Sequence, residues 1–413
     1  MKDKKKSNQP FTLHLGNNLD ALAKYPDQSI HAVVIDGPYG MNSKEYNVQE
    51  LAKQYLKGEN YLLGGKGIVG MDWDSDLPTL ALAKELLRVL KPGGFVVCFA
   101  AARTYDILVF TLRWAGFQIK DQLIWAYASG VPKGQWLENQ AEEVEGLAGL
   151  NTSLKPAVEP IVLAQKPIPK GVSVLENYEQ HGTGALNIGA VQVTRKDGET
   201  RYPANIITDG SKVVEKGFTG GDSNFNACSL SILDELLNPI LYYSKAQVRD
   251  REFGLDKHES EIRRNALFSG NDTDFKNIHP TVKPLALMRH LVRLVSRPGD
   301  IVMDCFLGSG STGCAAILEN RRFIGMELNQ DYFRVAEARI LRTVELKEKF
   351  KVSDPEQLTL LAELEEIETA MQKVADSVLK DPKNKVHHTK LGTLEIKRKV
   401  CLSNLKKSYP IAA

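Results

Sequence analysis

Two short motifs, far apart and in a fixed order, constrain this chain more than anything else in it. Near the beginning the apolar run IHAVVID, Ile30 to Asp36, closes on DGPYG, Asp36 to Gly40. Near the end, DIVMDCFLGSGSTG, Asp300 to Gly313, reads as a strand, a glycine loop and the start of a helix. Apolar β-branched runs of this kind are typical of parallel strands buried on both faces. Gly308, Gly310 and Gly313 have the G-x-G-x-x-G spacing, in which missing side chains let the backbone approach a ligand. Glu327 ends the next apolar run, RFIGMEL, where an acid can hydrogen-bond two ribose hydroxyls.

The rest of the chain supplies the strands and helices such a sheet needs. A strand over Thr12 to Asn17, a helix over Leu19 to Lys24 and the strand Ile30 to Asp36 make a βαβ start. The spacing predicts a helix over Pro78 to Leu90 that stops at KPGG, Lys91 to Gly94, before the strand Phe95 to Ala100. A helix around Tyr105 to Ala115, a glycine stop at Gly116 and strands near Phe117 to Tyr127 and Pro160 to Gln165 follow. Periodicity fails between Pro167 and Asn277, where short strand-like pieces rich in Gly, Asn and Asp point to an inserted α+β domain. The α/β pattern resumes with a helix over Leu285 to Val295, a strand over Ile301 to Phe306, a helix from about Ser311 and a strand over Arg322 to Leu328. Beyond Asp331 the chain reads as helical. Residues Lys383 to Lys407 carry eight basic side chains against the single acid Glu395, which suits either a basic arm or a solvated helix.

Composition excludes several classes. At 413 residues, 43% hydrophobic and 25% charged, the chain can bury a sizeable core, and no apolar run approaches the roughly 18 residues of a membrane span. The basic N-terminus MKDKKKSNQP lacks the apolar core of a secretory signal, so the cytoplasm is the expected compartment. Cys98, Cys228, Cys305, Cys314 and Cys401 form no CxxC pair and have no nearby His spacing, so neither a metal site nor a disulfide framework is expected. A net charge of only +2 makes any nucleic-acid surface local.

The glycine loop and Glu327 alone suit a nicotinamide oxidoreductase, an S-adenosylmethionine enzyme or a structural turn. Their surroundings are more specific: Asp304 and Phe306 ahead of the loop, and HPTVKP, His279 to Pro284, ahead of the strand. The block from His279 to Glu327 resembles the motif run of the permuted, β-class DNA amino-methyltransferases, which reads HPTxKP and then D-P-F-x-G-S-G-T. The phage and prophage type of site-specific adenine-N6 methylase is the nearest form. The resemblance implies a circularly permuted, doubly wound Rossmann-like sheet with S-adenosylmethionine as cofactor. It places cofactor-binding roles on Asp304, Phe306, Gly308, Ser309, Gly310, Ser311 and Glu327, with Thr281 and Lys283 as secondary candidates. Permutation makes the first strand the one that touches adenine of the cofactor. LHLGNN, Leu13 to Asn18, stands where the family has a Gly-Asp pair, so Asn17 is the candidate there, unless it merely ends the strand.

DGPYG stands where the family has D-P-P-Y. An exocyclic amine on a base is a poor nucleophile, because its lone pair is delocalised into the ring. A carboxylate and a main-chain carbonyl that each accept one N–H can aim that lone pair at the methyl group, while an aromatic face stacks the extruded base. Asp36, the carbonyl of Gly37 and Tyr39, with Pro38 between, match those roles. Glycine at 37 keeps the acceptor and loses the rigidity of proline, so a weakened DNA-binding relative is an alternative. Cytosine-C5 chemistry needs a cysteine after proline, and no cysteine here follows one. An aspartate at the head of the motif resembles the adenine-N6 enzymes, whereas the cytosine-N4 enzymes, the other alternative, usually begin with serine. WDSDLP, ARTYD and the segment Asp121 to Gly134 resemble later family motifs. There Trp125 and Tyr127 line the base pocket or belong to the core, and Asn47 to Gly70 reads as a polar loop able to close over DNA.

The expected domains are 1–166 for the catalytic half, 167–278 for target recognition, 279–345 for the cofactor half and 346–413 for a helical extension with a basic tail. GTGALNI, YPANII and LYYSKA in the second of these resemble stretches of phage methylases. Pro167 to Asn277 nevertheless holds 7 Lys and 6 Arg against 16 acids, so contact with double-stranded DNA falls on a few donors. Lys245, Arg249, Arg251, Arg263 and Arg264 are the candidates, with pairing to neighbouring acids as the other use of them. The resemblance leaves room for a homodimer and for a cognate restriction enzyme, and sets the protein at the nucleoid of a bacterial or phage-infected cell.

Overall fold

The apolar runs expected to be core strands all enter one sheet. The computed structural model describes residues 9–42, 44–65, 67, 74–127, 134–139, 146–154, 156–194, 200–208, 251–255, 261–264, 272–352, 355–380 and 385–408. In chain order the first elements are β1 (Phe11–Leu15), α1 (Asn18–Leu22), β2 (Ile30–Ile35), α2 (Val48–Leu56), α3 (Leu80–Val89), β3 (Leu90–Phe99), α4 (Tyr105–Ala115), β4 (Gln118–Ala126), β5 (Val158–Gln165) and α5 (Val174–His181). The short strands β6 (Val193–Thr194), β7 (Thr200–Arg201), β8 (Ile206–Thr208), β9 (Glu261–Arg264) and β10 (Asp272–Phe275) follow. The chain then forms α6 (Leu285–Val295), β11 (Ile301–Asp304), α7 (Ser311–Leu318), β12 (Arg322–Glu327), α8 (Gln330–Phe350), α9 (Pro355–Lys380) and α10 (Lys385–Ser408).

The eight-stranded sheet has the order β1-β12-β11-β2-β3-β5-β4-β8. Every neighbouring pair is parallel except the two made by β5, which runs against both β3 and β4. Strands from the two ends of the sequence therefore interleave: β1 pairs with β12, and β2 pairs with β11. Burial on both faces explains why these runs are continuously apolar. One face packs α6, α7 and α8 around Val34, Val97, Leu291 and Ile340, and the other packs α1, α3 and α4 around Val33, Ile35, Leu86 and Leu108. From β11 the chain crosses to β12 through α7, and from β2 it crosses to β3 through α3 on the opposite face. The junction of β11 and β2 is thus a topological switch point, where open α/β sheets hold their ligands.

Four expectations change. KPGG is not a stop before a strand: β3 runs through it, with a register slip between the pairs Ile30 with Leu90 and Ala32 with Phe95. Gly93 has φ +76°, and a Cβ there would lie 2.7 Å from Gly184 Cα, so the bulge seats the chain that follows β5. The supposed loop from Asn47 contains α2, capped by the Asn47 side chain. The segment after Pro167 is not wholly separate either. Asn177 Nδ2 donates to Pro92 O, Asn187 N donates to Leu294 O, and β8 extends the main sheet beside β4. The boundary expected at 345 falls inside α8, which ends at Phe350. No described helix is long and apolar enough to cross a membrane.

Candidate active site

Side chains at the carboxyl end of β2 belong at the switch point by topology, and Asp36 follows that strand directly. Its carboxylate is shared. Oδ1 accepts from the Tyr39 hydroxyl at 3.1 Å, and Oδ2 accepts from Lys283 Nζ at 2.7 Å. The same hydroxyl lies 2.9 Å from Glu159 Oε2, and Lys283 Nζ is 3.4 Å from that oxygen. Tyr127 also hydrogen-bonds Glu159, and Thr104 Oγ1 donates to Tyr39 O at 2.7 Å, fixing the turn. Two carboxylates, one ammonium and two phenols thus share one nearly enclosed cluster.

Burial governs the charges here. It raises the Asp36 carboxyl above its usual range against the pull of Lys283. Burial opposes the charge on Lys283, yet the facing Asp36 and Glu159 carboxylates hold it above the usual lysine range. The Tyr39 phenol is pushed well up by burial and by the same two carboxylates, so it stays protonated.

Glu159 lies in none of the motifs of the sequence. It begins β5, and because that strand is reversed its first residues reach the edge where the others finish. An acid placed two residues into an apolar run, Val158 to Gln165, was the available signal. Lys283, expected beside the cofactor, lines the cleft and also reaches across to Asp36.

The glycine loop adjoins this cluster. Asp304 ends β11, is 1% exposed, and accepts from Phe306 N at 2.9 Å, so its carboxylate braces the loop; burial pushes its carboxyl up to about 7. Gly308, at φ +52°, lies against His279, where a Cβ would meet Nε2 at 2.8 Å. A Cβ at Gly313 would meet Ile340 Cδ1 at 2.4 Å and one at Gly310 would meet Ala336 Cα at 3.0 Å, so these two glycines let the loop and α7 press on α8. Arg339, fully buried on α8, donates to Ser309 O at 2.6 Å, Ser309 Oγ, Ser311 Oγ and Phe253 O. It ties the loop to the end of the inserted segment. Glu327 closes β12 and accepts from Gly308 N at 2.7 Å and Asn329 N at 2.8 Å.

The remaining candidates divide. Thr281, Phe306, Ser309 and Ser311 line the same cleft as Asp36 and Asp304. Gly16 N donates to Glu327 O at 2.8 Å, which brings the end of β1 beside Glu327; the exposed Asn17 side chain there caps α1 by accepting from Leu19 N. Trp125 is a core residue, 2% exposed among Phe99, Leu123 and Ile161, whereas Tyr127 meets the site through Glu159. Arg251 donates to His279 O at 2.8 Å, which commits it to the HPTVKP backbone. Arg263 and Arg264 lie on the β9–β10 hairpin. Lys245 and Arg249, with LYYSKA, fall outside the described residues. Among those residues no cluster of metal ligands occurs. Around Gly37, a Cβ would meet Pro78 Cγ at 3.2 Å and the Phe306 ring at 3.3 Å.

Comparison with known proteins gives the family. A family model described as DNA methylase, covering N6 and N4 enzymes, matches residues 30–338. The type II methyltransferase M.HindIII of Haemophilus influenzae is 24% identical over 351 residues, 79% of this chain and 94% of its own. The DNA adenine methyltransferase YhdJ of Escherichia coli is 24% identical over 343 residues, 81% of this chain and 83% of its own. Among solved structures, the cytosine-N4-specific PvuII DNA methyltransferase aligns with a TM-score of 0.45 at 17% identity, over 80% of this chain and 86% of that one.

Proposed function

The chain belongs to the N6/N4 DNA methylase family, and on that premise we propose that it methylates the exocyclic N6 amine of adenine in duplex DNA, using S-adenosylmethionine, after the base turns out of the stack. The observation that carries this reading is the meeting, at one switch point, of the Asp36 turn with the loop from Asp304 to Ser311. Asp36 accepts one N–H of the amine and the Gly37 carbonyl accepts the other. With both hydrogens held, the nitrogen lone pair is turned out of conjugation with the ring. The aspartate at the head of the motif and the adenine activity named for the Escherichia coli relative support adenine over cytosine.

The residues present fit the cofactor. Helix α7 starts at Gly310 without a side-chain cap, so its first N–H groups and its dipole suit a carboxylate, and Ser309, Ser311 and Lys283 add donors. Asp36 and Asp304 face the same cleft and suit a cationic ligand rather than the diphosphate of a dinucleotide. Glu327, at the end of β12, suits the ribose hydroxyls. When bound, the sulfonium supplies an electrophilic methyl group. Lys283 holds Asp36 in place, and Thr104 fixes the Tyr39 backbone so that the turn keeps one shape. Target selection falls to the segment 167–278, including the β9–β10 hairpin.

Incubation of the purified chain with tritiated S-adenosylmethionine and mixed-sequence duplex DNA, followed by nucleoside chromatography, tests the reading. Label in N6-methyladenine is expected. Label in N4-methylcytosine would overturn the choice of base, and no label in DNA would overturn the activity.

A further inference from the structure

We propose that Glu159, acting through the Tyr39 hydroxyl, is the final acceptor of the proton that the methylated amine must lose. The role rests on the methyl-transfer reading above. As the N–C bond forms and the C–S bond breaks, sulfur keeps the electron pair and the amine nitrogen becomes cationic while still carrying both hydrogens. One hydrogen must leave as a proton before the product is neutral.

Asp36 is the nearest base, but a charge count shows why it does not suffice alone. Asp36 and Lys283, 2.7 Å apart, form a neutral pair. A proton added to that pair leaves an unbalanced ammonium in a site where Lys283 is only 8% exposed, and burial makes such a charge costly. With Glu159 included, the three groups carry a net charge of −1. Uptake of one proton then brings them to neutrality, which burial favours.

Geometry supplies the path. The Tyr39 hydroxyl stands 3.1 Å from Asp36 Oδ1 and 2.9 Å from Glu159 Oε2. The amine proton passes to Asp36, from Asp36 Oδ1 to the Tyr39 oxygen, and the proton Tyr39 already holds passes to Glu159 Oε2. Asp36 and Tyr39 end as they began. Tyr127, just after β4, shares Glu159; Lys283, just before α6, faces both carboxylates; the Asp304 carboxyl on β11 is raised by burial and by the Asp36 charge; and the Cys98 thiol on β3 is pushed up by burial and by Asp36.

Single-turnover methylation measured against pH tests the role, with cofactor affinity by calorimetry and the DNA KM as controls. Glu159→Gln keeps a side-chain oxygen for the Tyr39 hydroxyl but cannot take the proton. It is expected to lower the rate constant about 100-fold, within the range of general-base effects, and to remove the acid limb of the profile, with KM and cofactor affinity unchanged. Glu159→Asp is expected to keep the limb and part of the rate. Tyr39→Phe combined with Glu159→Gln is expected to be no slower than the slower single variant, since both break one path. A Glu159→Gln enzyme with the wild-type rate and acid limb, or losses that multiply in the double variant, would overturn the proposal. Absence of transfer by the wild type at every pH would instead remove the methylase reading beneath it.

Discussion

At position 37 the structure has adapted to glycine. Pro78 and the Phe306 ring occupy space that a side chain would need, and the backbone N–H of Gly37 faces the buried Cys98 thiol. Proline would crowd both neighbours and remove that donor. Gly37→Pro is therefore expected to lower the transfer rate about tenfold and to destabilise the fold by about 1–3 kcal/mol, as followed by labelled-methyl incorporation and denaturant unfolding; a faster variant would contradict this. Asp304 carries a second prediction. An ordinary aspartate titrates near 3.9, whereas burial places this one at about 7 in the fold. Between those values the folded state holds the extra proton, so stability falls as pH rises through the window and levels off above it. The melting temperature of the ligand-free chain should follow that course, and Asp304→Asn should flatten it.

Among elements, the reversal of β5 has the largest consequence, because it delivers Glu159 to an edge otherwise built from strand ends. Nothing local in VEPIVLAQ distinguishes a reversed strand from a parallel one; direction follows from how the connection between β4 and β5 returns. The helices were more legible. Tyr105–Ala115 and Leu285–Val295 match their expected limits, since Gly116 at φ +113° stops one and Pro284 precedes the other. Helix α8 has a function that spacing could not reveal: it carries Arg339 beneath the glycine loop. Arg339→Ala leaves the carbonyls of Ser309 and Phe253 without that donor and is expected to cost about 2–4 kcal/mol in chemical denaturation. Calorimetry should also show weaker cofactor binding, because Ser309 and Ser311 lose their support.

For the whole molecule, the helices that cover the sheet end with α8 at Phe350, and α9 and α10 follow as an addition. These helices pair with each other through Glu368 and Arg398 and through Cys401 Sγ–H donating to Leu360 O, and they meet α8 at Lys349 and Glu365. The family match ends at residue 338, before them. Truncation after Lys351 is expected to leave the unfolding midpoint of the sheet body and its cofactor affinity unchanged, measured against the full chain. Loss of cooperative unfolding would show that the hairpin belongs to the core.

The sequence by itself determined the α/β class, the strands that carry Asp36 and Asp304, the glycine loop and the order in which they occur. Those features depend on apolar runs and on glycine spacing, which are local and survive without the fold. Only the tertiary structure decided that Lys283 lines the glycine-loop cleft and reaches Asp36, that Trp125 is core, that Arg251 serves the HPTVKP backbone, and that Glu159 joins the Asp36 cluster. Each of these depends on strand direction or on contacts between distant residues, which no local pattern encodes.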